Sequence, residues 1–293
     1  MARLVIFGGG YCGLAVARAA CAAGFRVTVT TRGAVRQGAA WRMVGFAAAG
    51  EVLADATHVL VTAPPDEAGD PVLAAHGAAL AAAGVRWIGY LSTTGVYGDR
   101  GGGWVDEATA PAPGSARTRR RVAAEEGWGA FGGRVAVDVF RVAGIYGPGR
   151  SALDDVRAGR ARRVDKPGHA FGRIHRDDVV GAVLAAMGQG RGAGVRVLNL
   201  ADDVPSDTAS VVAEAARLLG VEPPPLVPFV EAEAGMSAMA RSFWAENRRV
   251  ASADTQTMLG YRWRYPDYRA GLAAILAEEG RDGADEEGDV GRA

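Results

Sequence analysis

Apolar and polar positions along this chain alternate between two kinds of segment. Short apolar runs occupy Arg3–Phe7, Phe25–Thr31, His58–Thr62, Arg86–Leu91 and Arg134–Arg141. Between them lie helix-like stretches: an alanine-rich one from Leu14, one over Pro71–Ala83 closed by Gly84, and a polar, arginine-rich one over Ser115–Trp128. This alternation predicts a parallel sheet with helices on both faces. After residue 149 the rhythm loosens. A short basic segment over 150–170 precedes Arg173–Val179 and a helix to Met187. Val195–Leu200 reads as a late strand, and Ser206–Leu219 as a helix capped by Gly220. Beyond Pro223-Pro224-Pro225, residues 231–246 have helical character, and a last helix is expected from about Asp267 to Glu279.

The expected organisation is therefore an α/β core over 1–149, to which 172–200 returns, and a smaller C-terminal lobe from 150–171 and 201–279. Residues 280–293 are acidic and glycine-rich with almost no large apolar side chain, the composition of a disordered tail.

Composition changes the picture in three places. Of 293 residues, 49% are hydrophobic and 23% charged with zero formal net charge, so nothing points to nucleic acid or membrane as a partner. No run of eighteen apolar residues occurs, the opening on a strand leads to the expectation of no signal peptide, and Cys12 and Cys21 form no disulfide or metal pattern. A cytoplasmic location is expected, and the four histidines are too scattered for a metal site. Finally, Lys166 is the single lysine among 33 basic residues, so lysine chemistry elsewhere is excluded.

The first strand runs into Gly8-Gly-Gly10-Tyr11-Cys12-Gly13, a G-x-G-x-x-G spacing. Gly8 permits the tight turn, Gly10 the approach of a pyrophosphate, and Gly13 close packing of the next helix, whose N–H groups point at the phosphates. Strand, glycines, helix and second strand together make a Rossmann-type dinucleotide-binding unit, with Thr62, Ala63, Pro64 and Ser92 at further strand ends that would face the cofactor. The second strand ends Thr30-Thr31-Arg32, with Arg36 one turn on and no carboxylate for ribose hydroxyls. A guanidinium suits a 2′-phosphate, so NADP is favoured over NAD.

Four stretches carry a more specific likeness: Gly8–Gly13, Leu91-Ser-Thr-Thr-Gly-Val-Tyr-Gly98, Phe140-Arg-Val-Ala-Gly-Ile-Tyr-Gly-Pro-Gly149 and Arg173-Ile-His-Arg-Asp-Asp-Val179. In order and spacing the chain resembles the extended and atypical short-chain dehydrogenase/reductases, the NAD(P)-dependent epimerase/dehydratase family, from residue 1 to about 277. The resemblance implies a doubly wound parallel sheet with a small C-terminal substrate lobe. It also implies a hydroxyl residue, here Thr93 with Thr94 beside it, and a Tyr-x-x-x-Lys pair on the helix from Ser115. This sequence departs from the pattern, because Arg117 stands at the Tyr position and Arg121 at the Lys position. Arginine stays protonated and exchanges no proton near neutrality. Arg121 still suits ribose hydroxyls, whereas Arg117 replaces no phenol.

The alternative proton donors are Tyr97 and Tyr146, in loops at carboxyl ends of strands, and His175, which titrates near neutrality. Asp177 and Asp178 are expected to cap the following helix. The resemblance also implies an anionic or nucleotide-sugar-like substrate held by arginines, for which Arg150, Arg241, Arg248 and Arg249 are the candidates, with Thr94, Arg117 and His175 as further substrate-binding candidates. The expected function is an NADP-dependent oxidoreductase or epimerase lacking the usual Tyr–Lys pair, the rival being a non-catalytic NADP-binding regulator. Helices 70–83 and 115–128 are the candidates for a homodimer interface.

Overall fold

The computed structural model describes residues 1–35 and 40–290, with side chains through 281. The first half contains β1 (Arg3–Phe7), α1 (Tyr11–Ala22), β2 (Arg26–Thr31), β3 (Arg42–Gly45), α2 (Ala49–Leu53), β4 (His58–Val61), α3 (Pro71–Ala82) and β5 (Trp87–Thr93). It continues with β6 (Trp104–Val105), α4 (Ala116–Gly129), β7 (Ala136–Val142) and β8 (Gly144–Tyr146). The second half contains α5 (Ala152–Arg157), β9 (Arg163–Asp165), β10 (Arg173–His175), α6 (Arg176–Gly188), β11 (Gly194–Leu200) and α7 (Thr208–Leu219). Then come β12 (Leu226–Pro228), α8 (Phe229–Glu233), α9 (Ala238–Trp244), β13 (Arg249–Val250), α10 (Ala253–Leu259) and α11 (Tyr268–Val290).

Seven strands form one parallel sheet in the order β11-β7-β5-β4-β1-β2-β3. Alternate residues of each strand feed opposite layers. Leu4 and Ile6 pack with Val16, Ala17 and Ala20 of α1 and Val179 and Val183 of α6. Val5 and Phe7 pack with Val72 and Leu80 of α3 and Ala124 and Trp128 of α4. Strands buried on both faces read as unbroken apolar runs, which is why the sequence shows them clearly. The order reverses between β1 and β4, and such a crevice at the carboxyl ends is where open α/β sheets bind ligands. A third cluster, Tyr146, Leu153, Val211, Ala215, Tyr268, Leu272 and Ile275, joins α5, α7 and α11.

Local chemistry fixes the helix starts. Asp70 accepts from Val72 N and Leu73 N, with Pro71 at the first helical position, while its other oxygen accepts from Trp128 Nε1 at 3.0 Å and ties α3 to α4. Ser115 and Thr118 form a capping box on α4.

Three features differ from the sequence reading. The edge strand β3 was not expected, for only Val44 of its four residues is buried. The helical stretch 231–246 is two short helices separated around Gly235. The closing helix runs to Val290 instead of ending near Glu279, since the expected tail also carries good helix formers such as Ala284, Glu286 and Glu287. Among the described residues no helix is long and apolar enough to cross a membrane, and no cluster of His, Cys, Asp and Glu is placed to hold a metal.

Candidate active site

The glycine motif forms a tight cradle between β1 and α1. Gly8 has φ +115°, and a side chain on Gly13 would meet Gly8 O at 1.9 Å, so neither position tolerates a larger residue. A Cβ on Gly10 would meet nothing within 4 Å, which leaves the space a pyrophosphate requires. Thr62 Oγ1 donates to Gly8 O at 2.9 Å, and Ala63 N donates to Phe7 O at 3.1 Å, bracing the turn from β4. No side chain caps α1 and its first turn holds no acidic residue, so its N–H groups and dipole favour an anion. These residues fit a dinucleotide. Arg32 is exposed at the end of β2 and forms no ion pair among the described residues, while Arg36 lies outside them.

A cleft of about 650 Å³ opens at the carboxyl ends of β5 and β7. Ser92, Thr93, Thr94, Arg117, Arg121, Arg150 and Arg248 line it, so the structure brings these sequence candidates together. Thr93 Oγ1 accepts from Gly95 N at 3.1 Å and retains its own hydrogen for a ligand. Arg121 donates through Nη1 to Leu91 O at 2.9 Å and Tyr90 Oη at 3.0 Å. Arg117 lies over the Phe243 ring at 4.9 Å. Arg248 donates to Gly98 O at 2.8 Å and Glu246 Oε2 at 2.7 Å. Among the described residues, no phenol, imidazole, thiol or amine lines the cleft.

The proposed alternative proton donors are all engaged elsewhere. Tyr97 is 0% exposed, donates to Asn199 Oδ1 at 2.7 Å and lies under the Arg141 guanidinium. Burial pushes its pKa up. Beside it, Ser92 Oγ donates to Glu125 Oε1 at 2.5 Å, and Arg141 holds Glu125 through Nε and Nη2. This buried network ties β5 to α4 and β7. Tyr146 faces α11, with its hydroxyl 3.3 Å from Asp267 O and its ring in the space left by Gly271. Burial raises its pKa far above the usual phenol range.

His175 is 1% exposed, and its Nδ1 accepts from Asp177 N at 3.2 Å, so it is His175 that caps α6, not Asp177 or Asp178. Burial pushes its pKa down to about 4, leaving a neutral imidazole near neutral pH. Asp178 instead accepts from Tyr261 Oη, Arg264 N and Tyr265 N, fastening the closing segment to α6. Arg249 donates to Gly102 O, and Arg241 is an exposed residue of α9. Sequence reasoning missed the Glu125–Arg141 pair and the cleft residue Phe171. Phe243 also stands at the cleft. The only sequence cue was that Arg141 and Phe171 fall within or beside the quoted motifs.

In fold the chain is of the Rossmann-type class seen in NAD-dependent epimerase/dehydratase and short-chain dehydrogenase/reductase structures. Within that class it is similar to a functionally unknown conserved protein from Silicibacter pomeroyi DSS, at 41% identity, a TM-score of 0.87, and coverage of 95% of this chain and 99% of that one. Its fold also matches MoeE5 in complex with UDP-glucuronic acid and NAD, at 22% identity, TM-score 0.77, and coverage of 96% and 99%. The human epimerase family protein SDR39U1 with NADPH matches at 18% identity, TM-score 0.71, and coverage of 93% and 98%. A curated relative, the 3-diazoavenalumate denitrifying reductase of a Streptomyces species, is 30% identical over 169 residues, or 56% of this chain. The match covers 54% of that protein, so the chain spans about half the length of its curated relative. No family model matches the chain.

Proposed function

We propose that the protein is an NADP-dependent oxidoreductase or epimerase acting on a small, anionic substrate without a Tyr–Lys pair. The observation that carries this reading is the cleft beside the glycine cradle, lined by Thr93 and four arginines, with the carboxylates of Asp99 and Glu246 but no phenol or amine among the described residues. The glycine cradle would hold the dinucleotide's phosphates, Arg32 its 2′-phosphate, and Arg121 the nicotinamide ribose. When bound, the nicotinamide supplies or accepts a hydride.

Thr93 then donates a hydrogen bond to the reacting oxygen, while Arg117 and Arg248 hold the substrate's negative charge. The UDP-glucuronic acid of MoeE5 and the acid named in the curated relative support an anionic substrate. The same reading places the enzyme in the cytoplasm, with α3 and α4 as the surfaces for a homodimer.

Fluorescence titration with NADPH and NADH tests the cofactor. NADPH should bind more tightly, and Arg32→Ala should weaken NADPH alone by roughly tenfold, the worth of a charge-assisted hydrogen bond. Thr93→Ala should lower turnover of an anionic carbonyl substrate by about a hundredfold. Absence of binding to either nucleotide would overturn the reading. A second reading, an NADP-binding regulator, draws on the same lack of a phenol or amine; it expects tight NADPH binding with no turnover.

A further inference from the structure

Resting on this dinucleotide reading, we propose that Arg150 and Arg176, both stacked against Tyr11, form a cationic clamp on the pyrophosphate. Tyr11 is the first residue of α1, between the second and third glycines of the motif. The Arg150 and Arg176 guanidinium carbons lie 5.7 and 5.2 Å from its ring centroid. Arg150 arrives on the Gly147–Arg150 turn, and Arg176 is the first residue of α6. The hydroxyl of Tyr11 donates to Pro148 O at 3.0 Å, pinning the ring to that same turn. A Cβ on Gly147 would come within 2.6 Å of this hydroxyl and 3.1 Å of Arg176 Cβ, so the turn reaches the glycine cradle only as glycine.

The charge balance explains what this arrangement is for. Two cations at the positive end of α1 repel its dipole, and no acidic residue in its first turn offsets them. Arg150 has no carboxylate partner among the described residues. Asp177 holds only the Nε of Arg176, at 2.8 Å, leaving the terminal N–H groups to donate. Both charges also reach Cys12, where they oppose the burial that pushes its thiol up to about 11. A doubly charged pyrophosphate over Gly10 would neutralise the excess. Arg150 is thereby assigned to the cofactor, leaving Arg117 and Arg248 to the substrate.

The test is an NADPH titration at several salt concentrations, using the intact protein and its Arg150→Met, Arg176→Met and Tyr11→Phe variants. Each arginine variant should bind NADPH about tenfold more weakly, with a flatter salt dependence. Arg150→Lys should recover part of the loss, and Tyr11→Phe should weaken binding by roughly threefold through the lost turn contact. Thermal unfolding confirms folding, and Arg176→Lys replaces Arg176→Met should the latter unfold. Wild-type affinity and salt slope in both arginine variants would overturn the clamp while the cofactor reading stands. So would an Arg150→Met variant that loses substrate affinity but keeps NADPH affinity. A wild-type protein that binds no nucleotide would overturn both.

Discussion

Arg141 of β7 and Arg121 of α4 both converge on β5, and their partners differ in kind. Arg141, 5% exposed on the neighbouring β7, is matched by the Glu125 carboxylate, with Nη2 at 2.8 Å from Oε2. Arg121 lies one helical turn before Glu125 on α4, yet it donates only to a phenol and a carbonyl. Asp138 repeats the buried pattern: at 0% exposed it takes Arg191, Arg196 and Trp87 Nε1. A charge removed from water needs a counter-charge, whereas one at a cleft wall keeps its field for a ligand when its partners are neutral. For this pair the partner, more than the residue type, separates an arginine matched by a carboxylate inside the fold from one with neutral partners at the cleft wall, whereas Arg248 at the same cleft is paired with Glu246.

The largest test of this contrast is Glu125→Ala, which leaves Arg141 buried without its counter-charge and Ser92 without its acceptor. Urea denaturation should show a loss of about 3–5 kcal/mol. A loss under about 1 kcal/mol would mean that the buried pair is incidental to the fold.

Asp202 sharpens the contrast from the acidic side. It is buried with Oδ1 unpartnered, and burial pushes its pKa from 3.8 up to about 8. Between those values the folded state keeps a proton that the unfolded state has released. Stability from this group is therefore complete below about pH 4, falls as pH rises to about 8, and is level above that. Asp202→Asn, a permanent mimic of the protonated acid, should remove this fall and exceed wild-type stability at pH 8 by roughly 5 kcal/mol at most. Parallel pH profiles for the two proteins would refute the assignment.

The smallest effect belongs to Arg117→Ala. Its one described contact is with the Phe243 ring, so the stability change should stay within about 0.5 kcal/mol while affinity for an anionic substrate drops. Denaturation and substrate titration on the same sample separate the two.

The parallel sheet was legible because its strands are buried on both faces, and the glycine cradle because sterics leave no other residue at Gly8 or Gly13. The chemistry of the tyrosines was not. Tyr97 and Tyr146 occupy loops where ligands commonly bind, but their hydroxyls turn to partners 102 and 121 residues away. Local sequence carries no record of which way such a side chain points. Arg176 escaped notice for the same reason, since its position against Tyr11 exists only once α1 and α6 pack together. The identities of Arg117 and Arg121, by contrast, are fixed by the sequence alone, and no packing arrangement turns Arg117 into a phenol.

The bond from Arg248 to Gly98 O, spanning 150 positions, carries a consequence for how the protein is made. A chain emerging from the ribosome can pair β1 with β2 and close the glycine turn early, using neighbours already synthesised. The wall of the cleft must wait until residue 248 appears, when most of the chain is out. On the function proposed above, the glycine cradle is then complete before the substrate wall, and a dinucleotide would be available to steady the half-built molecule while the remainder is translated.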